Sequence, residues 1–306
     1  MSEYIKTNLN LREFLYEMSG YMFLDFTVIG GRFSLKPTVP HYVDSNGDPG
    51  EIKNAGKPQI KALFSDGNIS DLKVSFLSPE ERQLFKAVVM YRQEVPNRFA
   101  ETKTITVQLN RETPYGSVLP VERFDLSGFC TSRDHARRFA RYAIKTRQLV
   151  DHGLTFKTSP QNCVGLIPGD YFRLVSEVSH TSRFSNGAIT DTGEVVTREP
   201  ITSAIDIYYW KPGSTQVLEG VLHPTVVSQA YWGSLFTRRN ATTENRVYKV
   251  ESISYTDEGL VEIAGSFVPL TSSGSLAVLD WFMVEGNPSS QEFVETDSAQ
   301  VPIGGW

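Results

Sequence analysis

The sequence has little cysteine and no long apolar run. Cys130 and Cys163 are its only cysteines, and their separation matches no CxxC metal or redox motif, so we expect two free thiols. No stretch approaches the roughly 18 consecutive apolar residues of a membrane span. The opening MSEYIKTNLN also lacks the apolar centre of an export signal. We therefore expect a protein that is made in the cytosol and has no membrane anchor.

The sequence also lacks the short motifs of well-known catalytic sites. It contains no GxSxG, no P-loop and no GxGxxG, and its histidines form no HExxH or HxH arrangement. We expect no catalytic residue, no bound metal and no cofactor. An enzyme such as a cell-wall hydrolase remains a weaker alternative, because two carboxylates drawn from distant strands would leave no local pattern.

Composition indicates a folded protein of more than one domain. A hydrophobic content of 40% and an aromatic content of 11% exclude a disordered chain. The length of 306 residues suits two or three domains. The net charge of −5 is mild and acidic, which argues against a protein that binds nucleic acid over its whole surface.

The pattern of apolar residues predicts a mainly β protein with an α+β N-terminal part. Residues 1–100 predict a small domain of one short helix, N-capped by Asn10, and hairpins. Residues 101–270 predict a β-barrel or sandwich domain flanked by a helix at 132–148, and residues 271–306 predict a C-terminal extension or partner-binding tail. The predicted strands from residue 154 onward are Leu154–Phe156, Cys163–Ile167, Tyr171–Val178, Gly193–Thr197, Ile201–Trp210, Thr215–Val221, Val247–Tyr255, Leu260–Val268 and Leu276–Val284.

The helix at 132–148 carries the clearest amphipathic pattern. Thr131 is the predicted N-cap, with Asp134 three residues later. The apolar positions are Ala136, Phe139, Ala140, Ala143 and Ile144. The basic positions, at steps of four, are Arg133, Arg137, Arg141 and Lys145, with Arg138 beside them. We call these five residues the basic row. A solvated helix face is the simpler interpretation of such a row.

Around this helix the sequence resembles a known protein family. The stretch DLSGFCTSRDHARRFARYAIKTRQL…GLIPGDYFRLV is similar to the hub or tip-attachment proteins of long-tailed bacteriophages, the group around the host-specificity J protein. Two further stretches resemble the same group in the same order: LREFLYEMSGYMFLDFTVIGGRFSLKP and VYKVESISYTDEGLVEIAGSFVP. The matching residues of the first stretch are Gly128, Thr131, Ala136, Arg138, Pro168, Gly169 and Asp170.

The resemblance implies a tail-tube-like fold and a structural role in the virion. It implies a hub of a tail tip or baseplate that connects the tail tube to distal tip or receptor-binding proteins and lines the DNA exit channel. The implied partners are two further copies of the chain in a homotrimer, the tail tube or distal tail protein, tip or fibre proteins and the tape measure. DNA would be met only in transit during genome ejection. The implied location is the phage tail, assembled in the host cytoplasm.

A carbohydrate- or receptor-binding β module of a phage tail is the alternative function. Aromatic faces stack on sugar rings and are also common in cores and interfaces. The candidate aromatic residues are Tyr208, Tyr209, Trp210, Trp232 and Trp281.

Two sets of residues follow as candidates for testing. We expect the basic row to lie at a protein–protein contact, where its cations pair with carboxylates. We also expect turns at Gly128 and at Pro168-Gly169-Asp170, with Gly128→Val and Gly169→Val both disrupting folding.

Overall fold

The fold is mainly β, as predicted. The computed structural model describes residues 10–29, 31–38, 57–93, 100–110, 119–176, 186–197, 200–239, 246–272, 274–279 and 293–298. The α-helices in these ranges are α1 (Leu11–Tyr21) and α2 (Arg133–Leu149). The strands are β1 (Leu24–Ile29), β2 (Arg32–Pro37), β3 (Ile60–Ser65), β4 (Ile69–Phe76), β5 (Lys86–Gln93), β6 (Glu101–Leu109), β7 (Val121–Asp125), β8 (His152–Thr158), β9 (Tyr171–Val175), β10 (Asn186–Ile189), β11 (Val195–Thr197), β12 (Ile205–Trp210), β13 (Leu218–Leu222), β14 (Leu235–Arg238), β15 (Val247–Tyr255), β16 (Val261–Val268) and β17 (Phe293–Ser298). Neither of these helices has the length and apolar character needed to cross a membrane.

The described residues form two compact units, and neither unit is continuous in sequence. The helix-bearing unit takes its described residues from Met1–Ala55, Ser78–Leu149 and Val278–Trp306. The two-sheet unit takes its described residues from Gly56–Leu77 and Val150–Ala277. This division differs from the consecutive segments 1–100, 101–270 and 271–306 that the sequence predicts. The physical reason is strand pairing between distant segments, which a reading along the chain does not detect.

In the helix-bearing unit, α2 packs on a four-stranded sheet of order β17-β6-β5-β7. The pairs β17–β6 and β6–β5 are antiparallel, and β7 is parallel to β5. The predicted apolar face of α2 is confirmed, because Ala136, Phe139, Ala140 and Ile144 are buried. They pack with alternate residues of β5 and β6, including Val89. Burying side chains as large as Phe or Ile contributes about 1.5–3 kcal/mol each.

The N-terminal part of this unit is the predicted helix and hairpin. Asn10 caps α1, since its side-chain oxygen accepts a hydrogen bond from the Arg12 amide at 3.2 Å. The strands β1 and β2 pair antiparallel. Between α1 and β1, Phe23 adopts a left-handed backbone with φ of 55°, and its ring meets that of Tyr142 at 5.4 Å. Tyr21 similarly stacks on Phe129 at 5.8 Å. Aromatic contacts thus hold this stretch against α2 and the turn before it.

The two-sheet unit contains a six-stranded and a five-stranded sheet. The six-stranded order is β3-β9-β15-β16-β8-β4, with β3 parallel to β9 and the other neighbours antiparallel. The five-stranded order is β11-β10-β14-β12-β13, entirely antiparallel. The sequence predicts a barrel or a sandwich in this region. The described strands form two open sheets. Trp210 of the second sheet packs into the core of the first, beside Phe64 at 6.4 Å.

A tight turn connects the segment after β8 to β9. The Asp170 amide donates to the Ile167 carbonyl at 3.0 Å, and Gly169 between them has φ of 83°. The Gly169 amide donates to the Val250 carbonyl at 2.7 Å, and the Val250 amide donates to the Asp170 carbonyl at 2.8 Å. The Asp170 carboxylate is buried and lies 2.8 Å from the Lys61 ammonium. The turn is therefore hydrogen-bonded into β15 at the point where that strand bulges.

Two predicted strands are wrong in the described residues. Instead of a strand at Cys163–Ile167, the chain forms a short 3-10 helix (Pro160–Cys163) followed by a turn. Pro160 lacks an amide hydrogen and its fixed φ suits a first helical position, so it favours this local structure over a sheet. Leu276 makes only an isolated bridge to Leu270, and the remainder of the predicted strand Leu276–Val284 beyond residue 279 lies outside the described residues.

The two cysteines are free thiols, as predicted. Cys130 is buried under α2, where burial raises the pKa of its thiol. Burial also raises the pKa of Cys163, to about 11. Both groups are therefore protonated and weakly nucleophilic at neutral pH.

We predict that Gly169→Val destabilises the protein and that Gly128→Val does not. A β-branched side chain at φ of 83° is strained, which lowers the free energy of unfolding by about 1–3 kcal/mol. Gly128 has no positive φ and no atom within 4 Å of an added Cβ, so the matched variant there is a control. The sequence alone predicts that both substitutions are disruptive, and the structure gives a reason for strain only at Gly169. Urea unfolding checks it, and equal midpoints for Gly169→Val and wild type would contradict it.

Candidate functional site

The basic row lies on α2 where the sequence placed it, but the helix starts one residue later than predicted. The first helical residue is Arg133. The Ser132 hydroxyl is 3.5 Å from the His135 amide, so Ser132 stands at the N-terminal capping position in place of Thr131. Asp134 lies in the first turn, where its charge complements the helix dipole.

The strand β17 brings acidic residues to this helix. Its register places Glu295 opposite Val107 and Asp297 opposite Ile105 of β6. Both partners belong to the core under α2. Because directly paired residues in adjacent strands point to the same face, the two acids face the helix. The sequence prediction missed this strand and assigned residues 271–306 to an extension or partner-binding tail.

Two members of the basic row pair with these acids. The Arg133 guanidinium binds the Asp297 carboxylate with two nitrogens, Nε to Oδ1 at 3.1 Å and Nη2 to Oδ2 at 3.0 Å. Arg141 binds Glu295 through Nη2 and Oε1. The second pair is the better shielded, with side chains 15% and 17% exposed against 42% and 59% for the first. The pair Arg141–Glu295 therefore contributes more to stability, because solvent screens an exposed pair more strongly.

The remaining basic side chains also contact the chain itself. Arg137 lies 3.2 Å from Asp134, one helical turn earlier. The ammonium of Lys145 and the guanidinium of Arg141 lie 5.9 Å and 5.1 Å from the ring centre of Phe293, which is buried. Arg138 is half-buried.

One further arginine of α2, outside the basic row, also contacts the chain itself. Arg147 pairs with Glu122, and its guanidinium carbon lies 4.2 Å from the ring centre of Phe85.

The electrostatics of this region favour the charged form of Arg133. Hydrogen bonds to Asp297 raise the pKa of Arg133 above the usual arginine value, so Arg133 remains a cation at any physiological pH. Burial, with a smaller contribution from the Asp297 charge, raises the pKa of Tyr91. Tyr91 is therefore neutral at physiological pH and adds no charge beside the Arg133–Asp297 pair.

The basic row therefore supports electrostatic docking of a strand, and its described acidic partners come from the same chain. The hypothesis that the row pairs with carboxylates of another protein stays a prediction. The sequence signal for Glu295 and Asp297 was available in principle, since two acids at a spacing of two share one face of a strand. Among the described side chains, no three His, Cys, Asp or Glu residues come together as a metal site.

Two members of the candidate aromatic platform are buried, and two others, Tyr209 and Trp232, are half-buried beside the core of the five-stranded sheet. Trp210 is buried, and its indole nitrogen donates to the Ser214 carbonyl at 3.2 Å. Tyr208 is also buried, and Tyr209 meets Tyr231 edge-to-face at 4.7 Å. Trp281 lies outside the described residues. Trp210 and Tyr208 therefore serve packing, and neither presents a ring face to solvent.

Comparison with known proteins gives structural likeness at low identity. No family model and no curated protein sequence matches the chain. It is similar to a chain of the virion of a native gene transfer agent particle, at 10% identity and a TM-score of 0.37, over 87% of this chain and 51% of that one. It is similar to a tail protein of Neisseria meningitidis MC58, at 8% identity and a TM-score of 0.37, over 86% of this chain and 56% of that one. It is similar to the 43 kDa tail protein of prophage MuSo2 from Shewanella oneidensis, at 9% identity and a TM-score of 0.34, over 73% of this chain and 58% of that one. The match thus spans little more than half of each of these proteins.

We predict that reversing the pair Arg141–Glu295 restores stability lost in either single variant. Arg141→Glu and Glu295→Arg each place like charges together, whereas the double variant rebuilds the pair in the opposite order. The coupling free energy from a double-mutant cycle in urea is expected to be about 1–3 kcal/mol. The exposed pair Arg133 and Asp297 is the matched control, with an expected coupling below about 1 kcal/mol. Additive effects at Arg141 and Glu295 would show that β17 does not depend on this pair.

Proposed function

We propose that this protein is a non-enzymatic structural component of a bacteriophage-type tail, the hub that joins the tail tube to the tip. The observation that carries the proposal is the contact between the stretches that resemble hub proteins. They were recognised separately along the sequence, and they meet in space within each compact unit. A chance resemblance of three short stretches gives no reason for such contacts.

The first contact lies in the helix-bearing unit. The helix and hairpin stretch supplies Tyr21 and Phe23, and the central stretch supplies α2 and the turn before it. The Phe139 ring of α2 lies 5.6 Å from Tyr21 and 6.4 Å from Phe23. The His135 ring nitrogen Nε2 lies 2.7 Å from the Tyr21 carbonyl. These two stretches thus form one packed element.

The second contact lies in the two-sheet unit. The Pro168-Gly169-Asp170 turn of the central stretch is hydrogen-bonded to Val250 of β15, in the third stretch. The strand β9, which follows this turn, pairs with β15, and β15 pairs with β16. The central and third stretches therefore meet as adjacent strands of one sheet.

Surface features of the described strands support self-association into a homotrimer. The strand β13 is an edge strand that exposes Leu218 and Val221, at 41% and 43%. The strand β7 is the edge of the other unit's sheet and exposes Val121 at 52%. Exposed edges with apolar side chains favour pairing with another chain. In the proposed assembly, copies of the chain form the ring of the hub.

The proposed setting follows from that role. The protein is assembled in the host cytoplasm and resides in the tail of the virion. Its partners are the tail tube or distal tail protein, the tape measure, and tip or fibre proteins. DNA passes the ring during ejection, and the mild acidity of the chain, −5 overall, disfavours tight retention of phosphates.

We predict that the purified chain assembles as a trimer, alone or with co-expressed tail proteins of the same virion. Native mass spectrometry is expected to give a species of three times the 34.3 kDa chain mass. A stable monomer that also fails to join those tail proteins would contradict the hub assignment.

A second experiment examines whether the basic row contributes to assembly. Arg137→Glu is the suitable variant, because its acidic neighbour Asp134 belongs to α2 itself and not to β17. We expect an unchanged melting temperature and a trimer about tenfold weaker, equivalent to roughly 1.4 kcal/mol. Lys211→Glu, at an exposed position in the two-sheet unit, is the control for a general charge effect. Equal assembly of Arg137→Glu and wild type at low and high salt would contradict a contribution of the basic row to assembly.

A further inference from the structure

The two-sheet unit contains a cavity that the proposed tail role does not use. Its volume is about 410 Å³, and its walls come from both sheets of this unit, from residues 57–60 and from Leu270, Ser272 and Gly274. A volume of roughly 300–1,000 Å³ is typical of sites for small molecules. The cavity is thus large enough for a ligand the size of a phosphate ion or a single sugar ring.

A buried arginine and a tyrosine form the inner wall. Arg173 belongs to β9, a strand buried along its whole length, and its side chain is 6% exposed. Its guanidinium carbon lies 4.1 Å from the ring centre of Tyr208, on β12 of the other sheet. This stacking is a cation–π contact, which fixes the plane of the guanidinium. A fixed, planar guanidinium in a cavity wall is well suited to bind a carboxylate or a phosphate.

A second arginine approaches the same ring from the cavity mouth. Arg239 follows β14, and its guanidinium carbon lies 5.8 Å from the Tyr208 ring centre. Its Nη1 donates to the Glu219 carboxylate at 2.8 Å. Both side chains of this pair are about half exposed, so solvent reaches them and the pair is weak. Arg239 therefore adds a second cation beside the Tyr208 ring, at a position that solvent reaches.

A lysine completes the set of cations. Lys57 is exposed at the rim, and its Cε lies 4.0 Å from the position that a Cβ on Gly274 would occupy. The described lining residues thus include three cations (Lys57, Arg173 and Arg239) and one carboxylate (Glu219). The whole chain has a net charge of −5, whereas the charged residues of this cluster are mostly cations.

We propose that this cavity binds a small ligand that carries an oxyanion, either a carboxylate or a phosphate group. The cations supply charge-assisted hydrogen bonds, and neutral polar residues such as Gln59, Gln216 and Ser272 line the remainder of the wall. The proposal is independent of the tail role, because it depends only on the geometry of the two-sheet unit.

The test measures binding of three probes to the full-length protein by isothermal titration calorimetry at low ionic strength. Inorganic phosphate represents a free anion, glucuronate represents a carboxylate on a sugar, and glucose is the neutral match of glucuronate. We expect binding of phosphate, glucuronate or both, and no binding of glucose. Binding of phosphate alone identifies a free phosphate site, and binding of glucuronate identifies a carboxylate site; each supports the proposal. Absence of binding by both anions would overturn it.

Variants separate the cavity from other charged surfaces. Lys57→Gln and Arg239→Gln each remove one rim cation and leave the buried Arg173 in place, so both are expected to fold. Each is expected to weaken anion binding about tenfold, the effect of one hydrogen bond to a charged group. Lys211→Gln removes an equivalent charge from the same unit outside the cavity and is expected to bind like wild type. Equal weakening by all three variants, or by none, would show that the anions bind elsewhere and would overturn the proposal.

Discussion

The attachment of β17 to α2 is the interaction on which the helix-bearing unit depends. Like charges at steps of four along α2 repel by a few tenths of a kcal/mol per pair. The carboxylates of Glu295 and Asp297 offset this repulsion at Arg141 and Arg133. The same strand also pairs with the outer edge of β6, so that the core under α2 is covered by residues from both ends of the sequence. The strand β17 thus forms ion pairs with the helix and backbone hydrogen bonds with the edge of the sheet.

The features that support the proposed hub role are distributed over the two compact units. The helix-bearing unit holds the basic row, and its packing includes the helix and hairpin stretch. The two-sheet unit holds the turn at residues 167–170, which is joined to β15 through Val250. The cation-lined cavity beside Tyr208 belongs to the second unit alone. Among the described residues, these two groups of cations have different roles, one that docks a strand and one that we assign to a ligand.

Local patterns predicted much of the fold, and contacts between distant residues explain the rest. The burial of Ala136, Phe139 and Ala140 follows from helical spacing, and Val247–Tyr255 forms a strand with the predicted bounds. In contrast, Glu295 pairs with a residue 154 positions earlier, which no local pattern encodes. The acids at two inward positions of β17, Glu295 and Asp297, also made this strand resemble a solvated tail in the sequence. The burial of Trp210 was likewise decided by packing between sheets.

Hydrogen–deuterium exchange of the backbone amides in β17 is the most direct test of this account. The account predicts that the β17 amides bonded to β6 are protected to a similar degree as those shared by β5 and β6. It further predicts that high salt lowers this protection in β17 more than in β5, because salt screens the pairs with Arg133 and Arg141. Exchange in β17 at the rate of an unstructured peptide, at low salt, would contradict the account.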